Sequence, residues 1–225
     1  MSRVDGFSDV VFGFALTLLV VSLEAPKTFQ ELQEMVGGFV PFAVSFLFLL
    51  MIWFAHFQFF RRFGLEDFTT IVLNSALLFV VLFYVYPLKF LFNLMTGDLL
   101  RSQHVAHITD AQTRELMILY GGGFAAIYLL LAALYWNAWR RREELGLDAL
   151  ECMLTKGYML DAAAEGGVGL ISCALAALLP PEKAGLSGFA YFLLAATKTG
   201  VATWMGRRGR VLRSSVMAER SRVAG

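Results

Sequence analysis

Residues Val36 to Phe59 read VGGFVPFAVSFLFLLMIWFAHFQF, and from Leu47 to Phe54 every residue is apolar. A strand of a closed membrane barrel alternates apolar and polar residues, so this unbroken run belongs to a helix that satisfies its own backbone groups. A bilayer core about 30 Å thick asks for ~20 mostly apolar residues in a spanning helix. Five further stretches of that kind flank this one: Phe7 to Leu23, Thr69 to Phe92, Leu116 to Trp139, Tyr158 to Leu179 and Gly185 to Met205. The stretch from Tyr158 is the least oily, because it contains Asp161, Glu165 and many Gly and Ala residues. The expectation is an all-α, polytopic membrane protein of six transmembrane helices.

Composition agrees. Of the 225 residues, 58% are hydrophobic and only 16% charged, with a mean hydropathy of +0.63. A water-soluble domain carries about 45–50% apolar and about 25% charged residues, so an ordinary soluble domain is excluded. The net charge is +1 and the basic residues cluster in short segments, which offers nucleic acid no broad positive field. Cys152 and Cys173 have neither metal-ligand nor disulfide-framework spacing and read as small packing residues. The first apolar stretch follows a single basic residue, Arg3, and has Asp9 at its mouth, so it reads as a membrane helix rather than a secretory leader.

Lys and Arg in the connecting segments set orientation. With the N-terminus inside, the inner side receives Arg3, Arg61, Arg62, Arg140, Arg141, Arg142, Lys156, Arg207, Arg208, Arg210, Arg213, Arg220 and Arg222. The outer side receives Lys27, Arg101, Arg114 and Lys183, while Lys89 and Lys198 fall within spans. Both termini are therefore expected in the cytoplasm, with residues 1–206 forming the transmembrane domain and 207–225 an Arg-rich tail against anionic headgroups. Thr96 to Glu115 reads as a polar outer loop. Its His104 and His107 lack a third ligand nearby and predict a solvated loop rather than a metal site.

Chemistry that other membrane proteins advertise is missing. The sequence contains no Walker lysine motif, no H-E-x-x-H, no Ser/His/Asp set at one depth and no T-V-G-Y-G filter. Gly121, Gly123 and Ala126 fit G-x-G-x-x-A, but inside an oily helix with no preceding strand they predict close helix packing. The sequence therefore points away from an enzyme and from a bound cofactor. An ion-conducting protein of this composition must select with helix side chains.

Attention then falls on the first span, Arg3-Val4-Asp5-Gly6-Phe7-Ser8-Asp9 followed by Val10-Val11-Phe12-Gly13-Phe14-Ala15-Leu16-Thr17-Leu18-Leu19-Val20-Val21. An acid at the edge of a span is costly to bury alone and must pair or face water. Asp9 either complements the helix dipole or serves a function. The string R-x-x-x-F-S-D, here Arg3, Phe7, Ser8 and Asp9, resembles the signature of the transmembrane protein 175 family of potassium channels. Trp53 and His56 in the second span and Asn74 in the third strengthen the resemblance.

That resemblance implies a homotetramer in a bacterial inner membrane, each subunit contributing one six-helix repeat and its first helix to a central pore, with membrane lipid as the other partner. It implies potassium as the permeant ion, transiently near Thr17, and no cofactor. Carried over by position, the pore-lining and gating residues are Phe14, Thr17 and Val21. Leu18 lies beside them, and helical spacing puts the set on one face. Where the family commonly has Ile or Leu at the constriction, this chain has Phe14 preceded by Gly13. Four phenyl rings either close the axis or turn aside and leave Thr17 as the narrow point. Arg3, Phe7, Ser8 and Asp9 are then structural, held by Trp53, His56 and Asn74. The alternative is a proton-coupled transporter in which Asp161, Glu165 and Lys198 relay protons instead of pairing.

Overall fold

The structure, a computed structural model, describes residues 3–21, 27–37, 39–99 and 108–223. All regular structure among them is helical: α1 (Arg3–Val21), α2 (Phe29–Gly37), α3 (Phe39–Phe63), α4 (Phe68–Leu99), α5 (Asp110–Arg140), α6 (Ala149–Leu178), a 3-10 helix (Pro181–Phe192) and α7 (Leu193–Val223). Among the described residues, four helical stretches are long and apolar enough to cross a membrane by length and composition: Phe39–Phe63, Phe68–Leu88, Asp110–Arg140 and Ala149–Leu178. The chain is a multi-pass membrane protein. Leu116 to Trp139 lies within α5, Thr69 to Phe92 within α4 and all but the last residue of Tyr158 to Leu179 within α6, while Phe7 to Leu23 falls chiefly on α1, Val36 to Phe59 chiefly on α3, and Gly185 to Met205 on the 3-10 helix and α7. α1 is shorter, about 28 Å at the helical rise, and carries Arg3, Asp5 and Asp9 in its first half.

The boundaries differ from the apolar windows for identifiable reasons. Thr109 and Gln112 form a reciprocal capping box that starts α5 at Asp110, shortening the loop expected from Thr96 to Glu115. Asp148 and Glu151 do the same for α6, which begins nine residues before Tyr158. The sixth segment is composite: Pro180 and Pro181 favour a tight 3-10 start, and α7 then runs through Gly206 and Gly209 to Val223. His104 and His107 lie outside the described residues.

Two glycines set the turns at one end of the bundle. Gly64 (φ 54°) ends α3 and donates its N–H to the Phe60 carbonyl, while Gly146 (φ 61°) turns the chain between α5 and α6. Beside the first turn, Asp67 caps α4 by accepting from the hydroxyl and N–H of Thr70, then reaches across to Asn137 of α5 and to Arg141 at 2.8 Å. Burial works against its charge, but these hydrogen bonds and the guanidinium outweigh that and hold the Asp67 carboxyl below its ordinary range.

α5 and α6 form the most extensive interface. A Cβ on Gly169 would lie 2.9 Å from the Ala125 nitrogen and the Gly121 oxygen, and one on Gly123 would meet the Tyr84 ring. Here small residues let two backbones, or a backbone and a ring, touch. Tyr84 donates to the Tyr120 carbonyl at 2.9 Å, and Tyr120 donates to the carbonyl of Pro87, the proline inside α4. α1 packs against α3 and α4. At the other end of the bundle, Arg114 donates to the Leu179 carbonyl beyond α6 at 2.6 Å.

Gly169→Ala is expected to cost about 1–3 kcal/mol through overpacking against fixed backbone. Gly167→Ala, where a Cβ meets nothing within 4 Å, should be neutral or stabilising. Thermal unfolding in detergent, followed by size-exclusion chromatography, compares the two. A lowered folded-state pKa at Asp67 gives stability that is present above the unfolded value and lost as pH falls through the folded one. Wild type should therefore lose stability on acidification below about pH 4, near the ordinary Asp value, and Asp67→Asn should weaken the protein at neutral pH and flatten that acid limb.

Candidate functional site

At about 100° per residue, α1 divides into two faces. Ser8, Phe12, Ala15 and Leu19 recur on one side and are all buried, and Asp5 joins them. Val10, Phe14 and Thr17 recur on the opposite side and are exposed, Phe14 by 58%. Leu18 is half-buried at the edge between the two. Val21 closes the helix, and its side chain lies outside the described residues. Phe7 is exposed beside the Phe14 face.

The buried face is held by a directional chain of hydrogen bonds. The Ser8 hydroxyl donates to the Val4 carbonyl at 2.8 Å, so its oxygen is left to accept. It accepts from the Asn74 side-chain amide at 2.9 Å. That turns the Asn74 carbonyl oxygen toward His56 Nε2 at 2.8 Å, and Nε2 must then carry the proton. The imidazole sits between Phe12 and Phe60, with ring centroids 5.4 and 4.6 Å away. Nearer the edge, the Trp53 indole N–H donates to Asp9 Oδ1 at 2.8 Å. The structure thus brings Ser8, Asp9, Trp53, His56 and Asn74 together from α1, α3 and α4. Arg3 is exposed, and its backbone N–H donates to Glu66 Oε1 at 3.1 Å.

On the opposite face the Thr17 hydroxyl donates to the Phe14 carbonyl at 2.7 Å, which commits its proton to the helix and leaves its oxygen as a free acceptor. Among the described residues nothing else covers that face. A separate cluster lies on α6 and α7, where Lys198 meets Asp161 at 2.7 Å and Glu165 at 2.5 Å. Among the described residues no group of three or more His, Cys, Asp or Glu side chains is placed to hold a metal ion. Sequence reasoning passed over the Asp67, Thr70 and Asn137 clamp and the buried Asp5. An Asp at the start of α4 and a lone Asn late in an apolar helix were the available signals for the clamp.

Asn74→Ala is expected to destabilise the protein by about 2 kcal/mol or more, because it strands both Ser8 and His56 in the interior. Thr17→Ala, on the uncovered face, should leave the melting temperature of the detergent-solubilised protein within about 1 °C of wild type.

A family model described as "Endosomal/lysosomal potassium channel TMEM175" matches residues 3–84, which include α1, α3 and the hydrogen-bonded chain joining them to α4. Over 206 residues the chain is 37% identical to a potassium channel of Marivirga tractuosa, across 85% of this chain and 82% of that one. It is 28% identical over 144 residues to a potassium channel of Streptomyces collinus, across 61% of this chain and 64% of that one. Its fold matches that of the potassium channel MtTMEM175, solved as a variant in complex with a Nanobody-MBP fusion protein. The TM-score is 0.81 at 33% identity, covering 95% of this chain and 94% of that one. A lysosomal potassium-selective channel TMEM175 homolog from Chamaesiphon minutus shares the fold at a TM-score of 0.58 and 24% identity, over 88% and 96% of the two chains. With identity to a potassium channel sustained across most of both chains, and its backbone shared with a solved TMEM175 channel, the protein belongs to the TMEM175 family of potassium channels, which are ion channels and not enzymes.

Proposed function

We propose that four copies of this chain form a potassium channel whose central pore is lined by the uncovered face of α1. The observation that carries the reading is the division of that helix: one face is locked to α3 and α4 through Ser8, Asn74 and His56, and the other leaves Phe14 and Thr17 exposed. Around a symmetry axis the same residues become rings.

In this reading the Phe14 ring is an apolar constriction that ions cross only after shedding water, and the Thr17 oxygens replace part of the lost hydration shell. The bond from Thr17 to the Phe14 carbonyl aids this, because it turns the lone pairs, not the proton, toward a cation. Potassium gives up water at lower cost than sodium and passes preferentially. Leu18 and Val21 continue the lining. The same reading places residues 1–206 in the membrane of a bacterial cell as the channel domain. Residues 207–225 form the basic cytoplasmic tail, and the positive-inside bias puts both termini in the cytoplasm.

The proton-coupled alternative rests on Asp161, Glu165 and Lys198. Both carboxylates close on the one ammonium, which favours a tie between α6 and α7 over a relay. Glu165→Gln should then weaken the fold while leaving ion preference unchanged.

Reversal potentials in a planar bilayer, with potassium on one side and sodium on the other, test the channel reading. Wild type is expected to reverse toward the potassium potential. Thr17→Ala should bring the reversal closer to zero, and Phe14→Ala should raise unitary conductance. Unchanged currents in both variants would remove α1 from the permeation path, and proton-driven uptake without unitary current would favour the transporter.

A further inference from the structure

At the end of the bundle that carries Arg61, Arg62 and Arg140 to Arg142, three helices line an open cleft of about 840 Å³. α5 supplies Trp139 and Arg142, α6 supplies Ala149, Cys152, Met153 and Lys156, and α7 supplies Trp204, Arg207 and Arg208. The α6 residues recur at three- and four-residue intervals, so one stripe of that helix forms the wall. The cations are arrayed over indoles: Arg142 and Lys156 both lie over Trp139, at 4.8 and 4.7 Å from its centroid, and Arg208 lies over Trp204 at 5.5 Å. Arg142 is joined to the exposed Glu143 at 3.2 Å, whereas Lys156, Arg207 and Arg208 meet no carboxylate within 4.0 Å among the described residues. The indole N–H of Trp139 is buried and has no hydrogen-bond partner among them.

A second cavity, about 770 Å³, adjoins the first and shares Trp204, Arg207 and Arg208 with it. It continues along α7 past Thr203, Gly200, Thr199 and Ala196, a face of small side chains directed toward the middle of the membrane. The rise from Ala196 to Arg207 is about 16 Å, close to half of a ~30 Å hydrocarbon core. A cationic, indole-lined end continuing into an exposed face of small side chains about one leaflet long matches a ligand with an anionic head and an acyl chain.

We propose that this cleft is a binding site for an anionic phospholipid of the cytoplasmic leaflet. Its phosphate is held by Lys156, Arg207 and Arg208, and one acyl chain lies along Ala196 to Thr203 of α7. The Trp rings place the site at the headgroup level, where indoles favour the interface. A neutral zwitterionic lipid brings its own cation into the same cluster and is disfavoured. The proposal rests on the inward orientation of this end and not on ion conduction.

Native mass spectrometry of the purified protein, with phosphatidylglycerol, phosphatidylcholine or inorganic phosphate added, provides the test by mass alone. Wild type is expected to retain phosphatidylglycerol over phosphatidylcholine. Three cations near a headgroup contribute about 1 kcal/mol each, so the Lys156→Gln, Arg207→Gln, Arg208→Gln variant should lose at least about tenfold in phosphatidylglycerol retention with little change in phosphatidylcholine. Lys156→Gln alone, expected to lose a few-fold, keeps the comparison available if the triple variant folds poorly. Gly200→Phe puts a bulky ring on that face of α7 and should reduce retention of the lipid while phosphate binding stays as in wild type. Equal retention of the two lipids by wild type, or undiminished phosphatidylglycerol retention in the charge variants, overturns the site. Displacement of the lipid by millimolar inorganic phosphate would make it a phosphate site instead, and an unaffected Gly200→Phe variant would remove α7 from the chain path.

Discussion

The hydrogen-bonded chain from His56 through Asn74 and Ser8 to the Val4 carbonyl fixes the rotation of α1, and the character of its other face follows from that rotation. α1 is too short and too charged at its start to be positioned by hydrophobicity alone. Apolar side chains surround it nearly all the way round, so burial does not distinguish one rotation strongly from another. A single line of polar groups does, because in a medium without water each must meet its partner or remain unsatisfied. The direction of each bond is set by the one before it, which leaves His56 a single tautomer.

A second constraint comes from the close approach of α5 and α6. Their glycines let backbone meet backbone, and the Asp67 clamp and the Tyr84 and Tyr120 hydroxyls join α4 to α5 at different levels. These helices form a frame against which α1 and α3 are registered. α7 packs on α6 and leaves much of its own surface, including Ala196 to Thr203, uncovered.

The helical class was legible because Leu47 to Phe54 has no alternation, and the polar partners of Ser8 were legible because His56 and Asn74 are conspicuous within oily sequence. The ends of the helices were not, since hydropathy measures what lipid accepts and capping boxes at Thr109 and Asp148 act beyond that limit. The 3-10 start of the last segment follows from consecutive prolines, a local effect that an apolar average conceals. The clamp at Asp67 escaped notice because its partner Asn137 is seventy residues away and nothing local joins them. α2 lies in a stretch too polar to register as a span, although Phe29, Leu32 and Val36 recur at helical spacing, while the sequence spacing that groups Phe14 with Thr17 matches their common exposure on α1 and says nothing of how copies meet.

The two faces of α1 are tied to each other by chain length. Every residue added between Ser8 and Phe14 would turn the far side of the helix by about 100° relative to the anchored side. Within the segment Asp9 and Phe12 are themselves engaged by Trp53 and His56, and the number of residues is as constrained as those contacts. The segment behaves as a ruler: one residue inserted there misaligns the two faces, whereas one inserted in a loop leaves both in place.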